Sequence, residues 1–373
     1  MEDSVDEEQL KKMVAQVKTF PVPFSLGEIE ENTSICTNEI NQVSKEQIFN
    51  KALSFHSKGM TLEAAKYYQY FIDQGFKNDR VFCNYGVILR ELGNLKEAEL
   101  STRKAIELNP GYVMAHSNLG NILRELGNLK EAELSTRKAI ELNPKFAMAY
   151  SNLGIILKDL GKLQESEQPL RQSIELNPYY SEAHLNLGAV LQVLGKLHEA
   201  ESSLRKAIDL NPNSTNAHLN LGSTLQNLGK FQEAVLFTRQ AIELNPDSSV
   251  SHYNLANIYR DLGQFQEAEI STRKAIKLNP DFASAHNNLG SILAQNEKLH
   301  EAELSLRKAI ELKPDFANAH LNLGNILTSL GNLQEAEIYL RKALDLRPDF
   351  ANACFNLSYV ELLKGNYQYG LEN

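Results

Sequence analysis

Eight prolines, Pro110, Pro144, Pro178, Pro212, Pro246, Pro280, Pro314 and Pro348, stand at one constant interval of 34 residues. The stretch 113–146, VMAHSNLGNILRELGNLKEAELSTRKAIELNPKF, matches itself when slid by that interval, and 88–110 equals 122–144 letter for letter. A unit this short cannot bury its own apolar face and must stack on copies of itself. The period therefore predicts one elongated array, each unit touching its neighbours, where 373 residues would otherwise suggest two or three compact domains.

Within the unit, His116, Leu119, Leu123 and Leu126 keep the three-to-four spacing of one helix face, and Gly127 follows where a left-handed residue ends a helix. Leu129, Ala132, Thr136, Ala139 and Ile140 mark a second helix, closed by Asn143-Pro144. Gly120 lies inside the first helix, where glycine costs about 1 kcal/mol relative to alanine. It recurs as Gly86, Gly154, Gly188, Gly222, Gly290 and Gly324, so the place wants no side chain, and Ala132 is expected opposite it. Each unit reads as a helical hairpin.

Gly120, Ala132, Ala139 and Pro144, at the eighth, twentieth, twenty-seventh and thirty-second places, resemble the signature of the tetratricopeptide repeat (TPR). The wording AHSNLGNIL…EAE…AIELNP is similar to the superhelical repeat region of O-linked GlcNAc transferases, and to bacterial arrays that precede a transferase domain. The resemblance covers roughly residue 45 to the end. It implies an all-α, right-handed superhelical solenoid of helix-turn-helix repeats, and no single function, because such arrays serve many.

Taken in order, 1–44 reads as a partly disordered lead-in, with Leu10, Met13, Val14 and Val17 on a short amphipathic helix before Pro21; a docking arm is the functional alternative. Residues 45–78 form a divergent first repeat in which Phe76 replaces the proline and Tyr67, Tyr68, Tyr70 and Phe71 supply bulk. Eight full repeats fill 79–350, starting at Asp79, Val113, Ala147, Ser181, Thr215, Ser249, Ala283 and Ala317, and an incomplete one spans 351–373. Its Phe355, Leu357, Tyr359, Val360, Leu362 and Leu363 predict an apolar C-terminal edge, covered by self-association, another partner or further chain. Two internal faults stand out. Pro169 predicts a bend or local opening of its helix. Asn296 and Glu297, in place of a buried Leu and the turn glycine, predict a loosened turn.

A net charge of −9 argues against nucleic acid or an anionic membrane as partner. Cys36, Cys83 and Cys354 are odd in number and far apart, as in a reducing compartment. No apolar run reaches membrane-spanning length, and the acidic first residues are unlike a signal peptide, so the reading is cytoplasmic.

Chemistry is sparse. The chain has no P-loop, GxSxG or CxxC, and His198-Glu199 and His300-Glu301 lack the second histidine of a zinc helix, with Ser202 and Leu304 in its place. The expectation is no catalytic constellation, no cofactor and no metal. His116, His184, His218, His252, His286 and His320 share one place in the repeat and are read as packing residues. Glu99/Arg103, Glu133/Arg137, Glu167/Arg171, Glu201/Arg205, Glu269/Arg273, Glu303/Arg307 and Glu337/Arg341 are read as paired charges on a solvated helix face.

The asparagines say more. Asn50, Asn84, Asn118, Asn152, Asn186, Asn220, Asn254, Asn288, Asn322 and Asn356 keep the period without a gap. Each costs several tenths of a kcal/mol relative to alanine in a helix. The resemblance implies a ladder along the inner surface that holds peptide backbone; bonding between repeats is the structural alternative. The favoured reading is a non-catalytic scaffold binding a protein or peptide segment in its concave groove through Asn84 to Asn356. The rival is the substrate-selecting region of a larger glycosyltransferase or other transferase.

Overall fold

A computed structural model of the chain describes residues 44–365. Among these are nineteen helices and no strand, nine pairs from Lys45–Ser57 to Leu333–Leu346 followed by the single helix Ala351–Leu363. The expected lead-in at 1–44 lies outside the described residues apart from Ser44. That serine caps the first helix, its hydroxyl accepting from the Gln47 amide and its own amide donating back to the Gln47 side chain.

The glycine turn follows from backbone accounting. In the Val113 repeat, Gly127 takes φ 80°, the Asn128 amide donates to the Leu123 carbonyl at 2.8 Å, and the Gly127 amide to Arg124 at 3.0 Å. These bonds satisfy carbonyls that the end of Val113–Glu125 would otherwise leave orphaned. The Asn143 side chain then accepts from the Lys145 amide at 3.0 Å and leads the chain past Pro144 into the next helix.

Gly120 is forced by close approach, to the Ala132 backbone as expected and still more closely to Thr136. A Cβ there would stand 2.1 Å from the Thr136 hydroxyl, with the Ala132 carbonyl at 3.3 Å. The same facing residue is Thr102 or Thr238 in two other repeats, and Leu170, Leu204, Leu306 or Leu340 in four more. Ile122, outside the expected face, is fully buried and packs back on Leu89 and Ala98 of the preceding repeat. The core is thus a ribbon continued from hairpin to hairpin.

The Pro169 expectation is not met as an opening: Leu163–Leu176 is one helix of 14 residues, like its sister Leu129–Leu142. Leu170 beside it is fully buried under Gly154, which keeps the turn seated. Glu297 takes up the left-handed conformation itself, at φ 60°, and Asn296 donates to Glu269 at 2.9 Å. The turn keeps its shape with a strained residue in it. In the divergent first repeat Tyr68 and Phe71 are fully buried, and Phe49 and Phe76 pack on Phe71 at 6.3 and 5.2 Å. Burial pushes the Tyr68 hydroxyl up to about 12.

The outer charges do more than line a solvated face. Glu167 takes Arg171 of its own helix at 2.8 Å and also Lys196 of the next repeat at 2.8 Å. Glu133 with Lys162, Glu201 with Lys230, and Glu269 with Lys298 repeat the arrangement. The bond from Lys196, assisted by Arg171, holds the Glu167 carboxyl below its ordinary range. These pairs tie repeat to repeat. The histidines hold the linking turns: the ring Nε2 of His116 lies 2.9 Å from the Pro110 carbonyl, and that of His286 2.9 Å from Pro280.

Candidate peptide-binding groove

First helices of successive repeats pack directly on one another, as Ala147–Asp159 does on Val113–Glu125 and Ser181–Val193, while second helices pack on the first helices either side. The stack is therefore closest on the first-helix side, and the first helices line the inner curve. The asparagine row runs along this inner side, half-buried at every rung from Asn84 to Asn356 except Asn288, which is buried.

Most rungs reach back to the preceding repeat. Asn118 Nδ2 donates to Cys83 Sγ at 3.3 Å, Asn152 to Ser117 Oγ at 3.0 Å and Asn186 to Ser151 Oγ at 3.1 Å. Asn322 donates to Asn287 Oδ1 at 2.9 Å and Ser291 Oγ at 3.2 Å, and Asn356 to Asn325 Oδ1 at 2.6 Å. Asn84 bonds the Tyr68 hydroxyl. Asn288 accepts from Arg260 at 2.8 Å and leaves its own buried Nδ2 without a partner.

Asn220 and Asn254 differ. The residue 35 places back, which serves Asn118, Asn152, Asn186 and Asn322 as partner, is Leu185 for Asn220 and Leu219 for Asn254. A leucine accepts no hydrogen bond, and among the described residues neither carboxamide finds another side-chain partner, unlike Asn356, which has Leu321 at that spacing and bonds Asn325 instead. Both therefore keep their full capacity for a ligand. The sequence signal for the tie is a spacing of 35, one more than the period.

Around the row the groove changes along its length. Exposed Met114 and Met148 flank the early rungs, and the opposite rim pairs Arg90 with Glu125 and Arg124 with Asp159, each at 3.9 Å. Further on the rim is largely neutral, with Gln192 donating to Ser223 at 2.9 Å. Asp261 interrupts it, accepting from Gln226 at 2.6 Å. Among the described residues no group of three His, Cys, Asp or Glu side chains could hold a metal ion, and no helix is long and apolar enough to cross a membrane.

The geometry can therefore be set beside known proteins. Models described as "Tetratricopeptide repeat" match 79–112, 113–146, 136–168, 181–214, 215–248, 249–282, 272–303 and 317–350, and one described as "TPR repeat" matches 290–331. No curated protein sequence gives a match. In the Cut9–Hcn1 hetero-tetramer of APC/C, a chain similar in structure has a TM-score of 0.61 and 16% identity, over 88% of this chain and 70% of that one. The human IFIT1 dimer with PPP-AAAA gives 0.56 and 20%, over 93% and 84%. Pseudomonas aeruginosa pilF gives 0.50 and 20%, over 56% and 94%. At these identities the likeness shows the fold alone. Helix pairs, glycine turns and repeat models spanning more than half the sequence together show that this chain belongs to the tetratricopeptide-repeat family.

Proposed function

We propose that the chain is a non-catalytic scaffold that holds a protein segment extended along its concave groove, chiefly by main-chain contacts. The observation that carries this is the uninterrupted amide row on the inner side, with Asn220 and Asn254 uncommitted at its centre. With rungs about 10 Å apart, an extended peptide advancing about 3.3 Å per residue meets one at every third residue. The half-buried committed rungs still offer Oδ1 to a peptide amide, and all of them but Asn322 retain one N–H for a carbonyl; buried Asn288 is left out. Affinity capture with the intact array is the test. Proteins held by the native chain should be lost from the Asn186→Ala/Asn220→Ala/Asn254→Ala variant at unchanged helicity. An identical captured set would refute the groove.

The O-GlcNAc-transferase-like alternative is supported only by the wording of the repeats, and coding sequence continuing past Asn373 into a catalytic domain would establish it. We also propose contact between copies at the C-terminal edge. There Phe355, Tyr359 and Leu363 are 73%, 53% and 49% exposed on one face of Ala351–Leu363, while Leu362 is half-buried. Sedimentation should show association that Phe355→Ser with Leu363→Ser abolishes. Residues 366–373, too few for the full second helix of a repeat, lie outside the described residues.

A further inference from the structure

Between successive second helices the outer surface dips into a furrow floored by the first helix of the later repeat. Between Leu95–Leu108 and Leu129–Leu142 it has a volume of about 370 Å³, with Ile106 and Leu119 on its floor and Arg103 and Glu107 on its wall. Between Phe265–Leu278 and Leu299–Leu312 it holds about 420 Å³, over Ile276 and Leu289, with Leu304, Arg273, Lys277 and Lys308 around them. The two furrows differ most at one place. Lys277 stands where every other full repeat has an acid: Glu107, Glu141, Glu175, Asp209, Glu243, Glu311 and Asp345.

The acid has a local use, since Lys104–Glu107, Lys138–Glu141 and Lys308–Glu311 pair across one turn at 2.7, 2.7 and 2.6 Å. At Lys277 that pair is replaced by a like charge on Lys274, which costs a few tenths of a kcal/mol. All eight repeats answer to one fold, so the fold does not ask for this lysine. Arg273 is met by Glu269 at 3.0 Å and Glu301 at 2.8 Å, and Lys308 by Glu311. Lys274 and Lys277 make no ion pair among the described residues, and Leu304 beside them is 69% exposed. One uncompensated ammonium group, that of Lys277, borders an apolar trough large enough for a leucine or phenylalanine side chain.

We propose that this furrow binds an acidic segment of a partner protein, an aliphatic or aromatic side chain seated on Ile276 and Leu289 and a flanking carboxylate on Lys277. The site is on the opposite face from the asparagine row and stands apart from the groove reading. The test is fluorescence anisotropy of the full chain with a labelled peptide, Asp-Glu-Glu-Leu-Phe-Glu-Glu-Asp. One site per chain is expected, weakening as salt screens the lysines. Lys277→Glu restores the wording of the sister repeats, so the fold is kept, and should weaken binding roughly tenfold through loss of charge complementarity. Leu304→Ser, the residue at the matching place Ser202, should weaken it severalfold. Glu107→Lys should create a second site. Asn220→Ala with Asn254→Ala should leave this peptide's binding unchanged, so a failure of the groove and a failure of the furrow are read separately. No binding to the native chain, binding indifferent to Lys277→Glu, or equal binding of a peptide with Gln for every acid would each overturn the proposal.

Discussion

The junction between the Ala147 and Ser181 repeats and that between the Thr215 and Ser249 repeats are built from the same helices and joined differently. At the first, Asn186 bonds Ser151 on the inner side and Lys196 bonds Glu167 on the outer side. At the second, Leu219, Val235 and Gln264 occupy the places of Ser151, the glutamate and the lysine. Apolar packing of Val235 near Leu262 takes over, with Arg239 donating to the Tyr259 hydroxyl at 2.6 Å over its ring. The asparagine tie and the glutamate–lysine tie are both missing here, although Gln226 still bonds Asp261 across the same junction at 2.6 Å. Asn186 has a use within the stack; the Asn254 side chain has none among the described residues.

The comparison can be tested from both ends. The largest effect is expected from Pro169→Ser, which gives the tied region the residue its sisters carry at Ser135 and Ser203. The restored amide should stabilise by up to ~3 kcal/mol, read as a shift in urea midpoint; no shift would mean that the ties already absorb the proline. Next, Asn152→Ala with Asn186→Ala strands the buried hydroxyls of Ser117 and Ser151. This should cost about 1–2 kcal/mol per bond lost. Asn220→Ala with Asn254→Ala should instead be neutral or gain a few tenths of a kcal/mol per residue from helix propensity. Equal losses in the two pairs would erase the distinction between tied and untied rungs.

Glu297→Gly relieves a left-handed side chain and should stabilise by about 1 kcal/mol. It should also slow amide exchange around Leu299, whose turn is otherwise expected to exchange faster than that before Leu129.

The smallest effect is expected from Val235→Glu with Gln264→Lys, which installs the missing outer tie for about 0.2–1 kcal/mol. Its pH dependence follows from Glu167, whose carboxyl is held below its ordinary range by Lys196. A glutamate with a depressed folded-state pKa stabilises fully above its unfolded value, near 4.3, and loses that contribution as pH falls through the lower folded value. The gain should therefore be present at neutral pH and gone in strong acid. A gain that persists in acid would assign it to packing.

Much of this was legible in the sequence. The prolines and glycines announced the period, the hairpin and the turn, because each answers to backbone geometry that recurs unchanged. Partners across the stack were less legible. Gly120 meets Thr136 as well as the expected Ala132, because facing residues depend on where two helices cross. Asn152 meets Ser117 because the bond leaves the repeat, and a reading confined to one unit cannot see it. Pro169 leaves its helix unbroken, and the full burial of the neighbouring Leu170 lies outside what a single proline signals in the sequence.

The helices Leu95–Leu108 and Leu129–Leu142 are identical in sequence and pack on first helices that end in the same four residues. During folding the chain has no local means of telling them apart. Leu129–Leu142 can close on Asp79–Glu91 and loop out a whole unit, since lengthening a closed loop costs only about 0.6 kcal/mol per doubling. Such a hairpin satisfies every nearest contact and must come apart before the array can finish. Refolding should therefore carry a slow, misregistered phase, which diversifying 122–144 at its exposed places would remove without altering the finished fold.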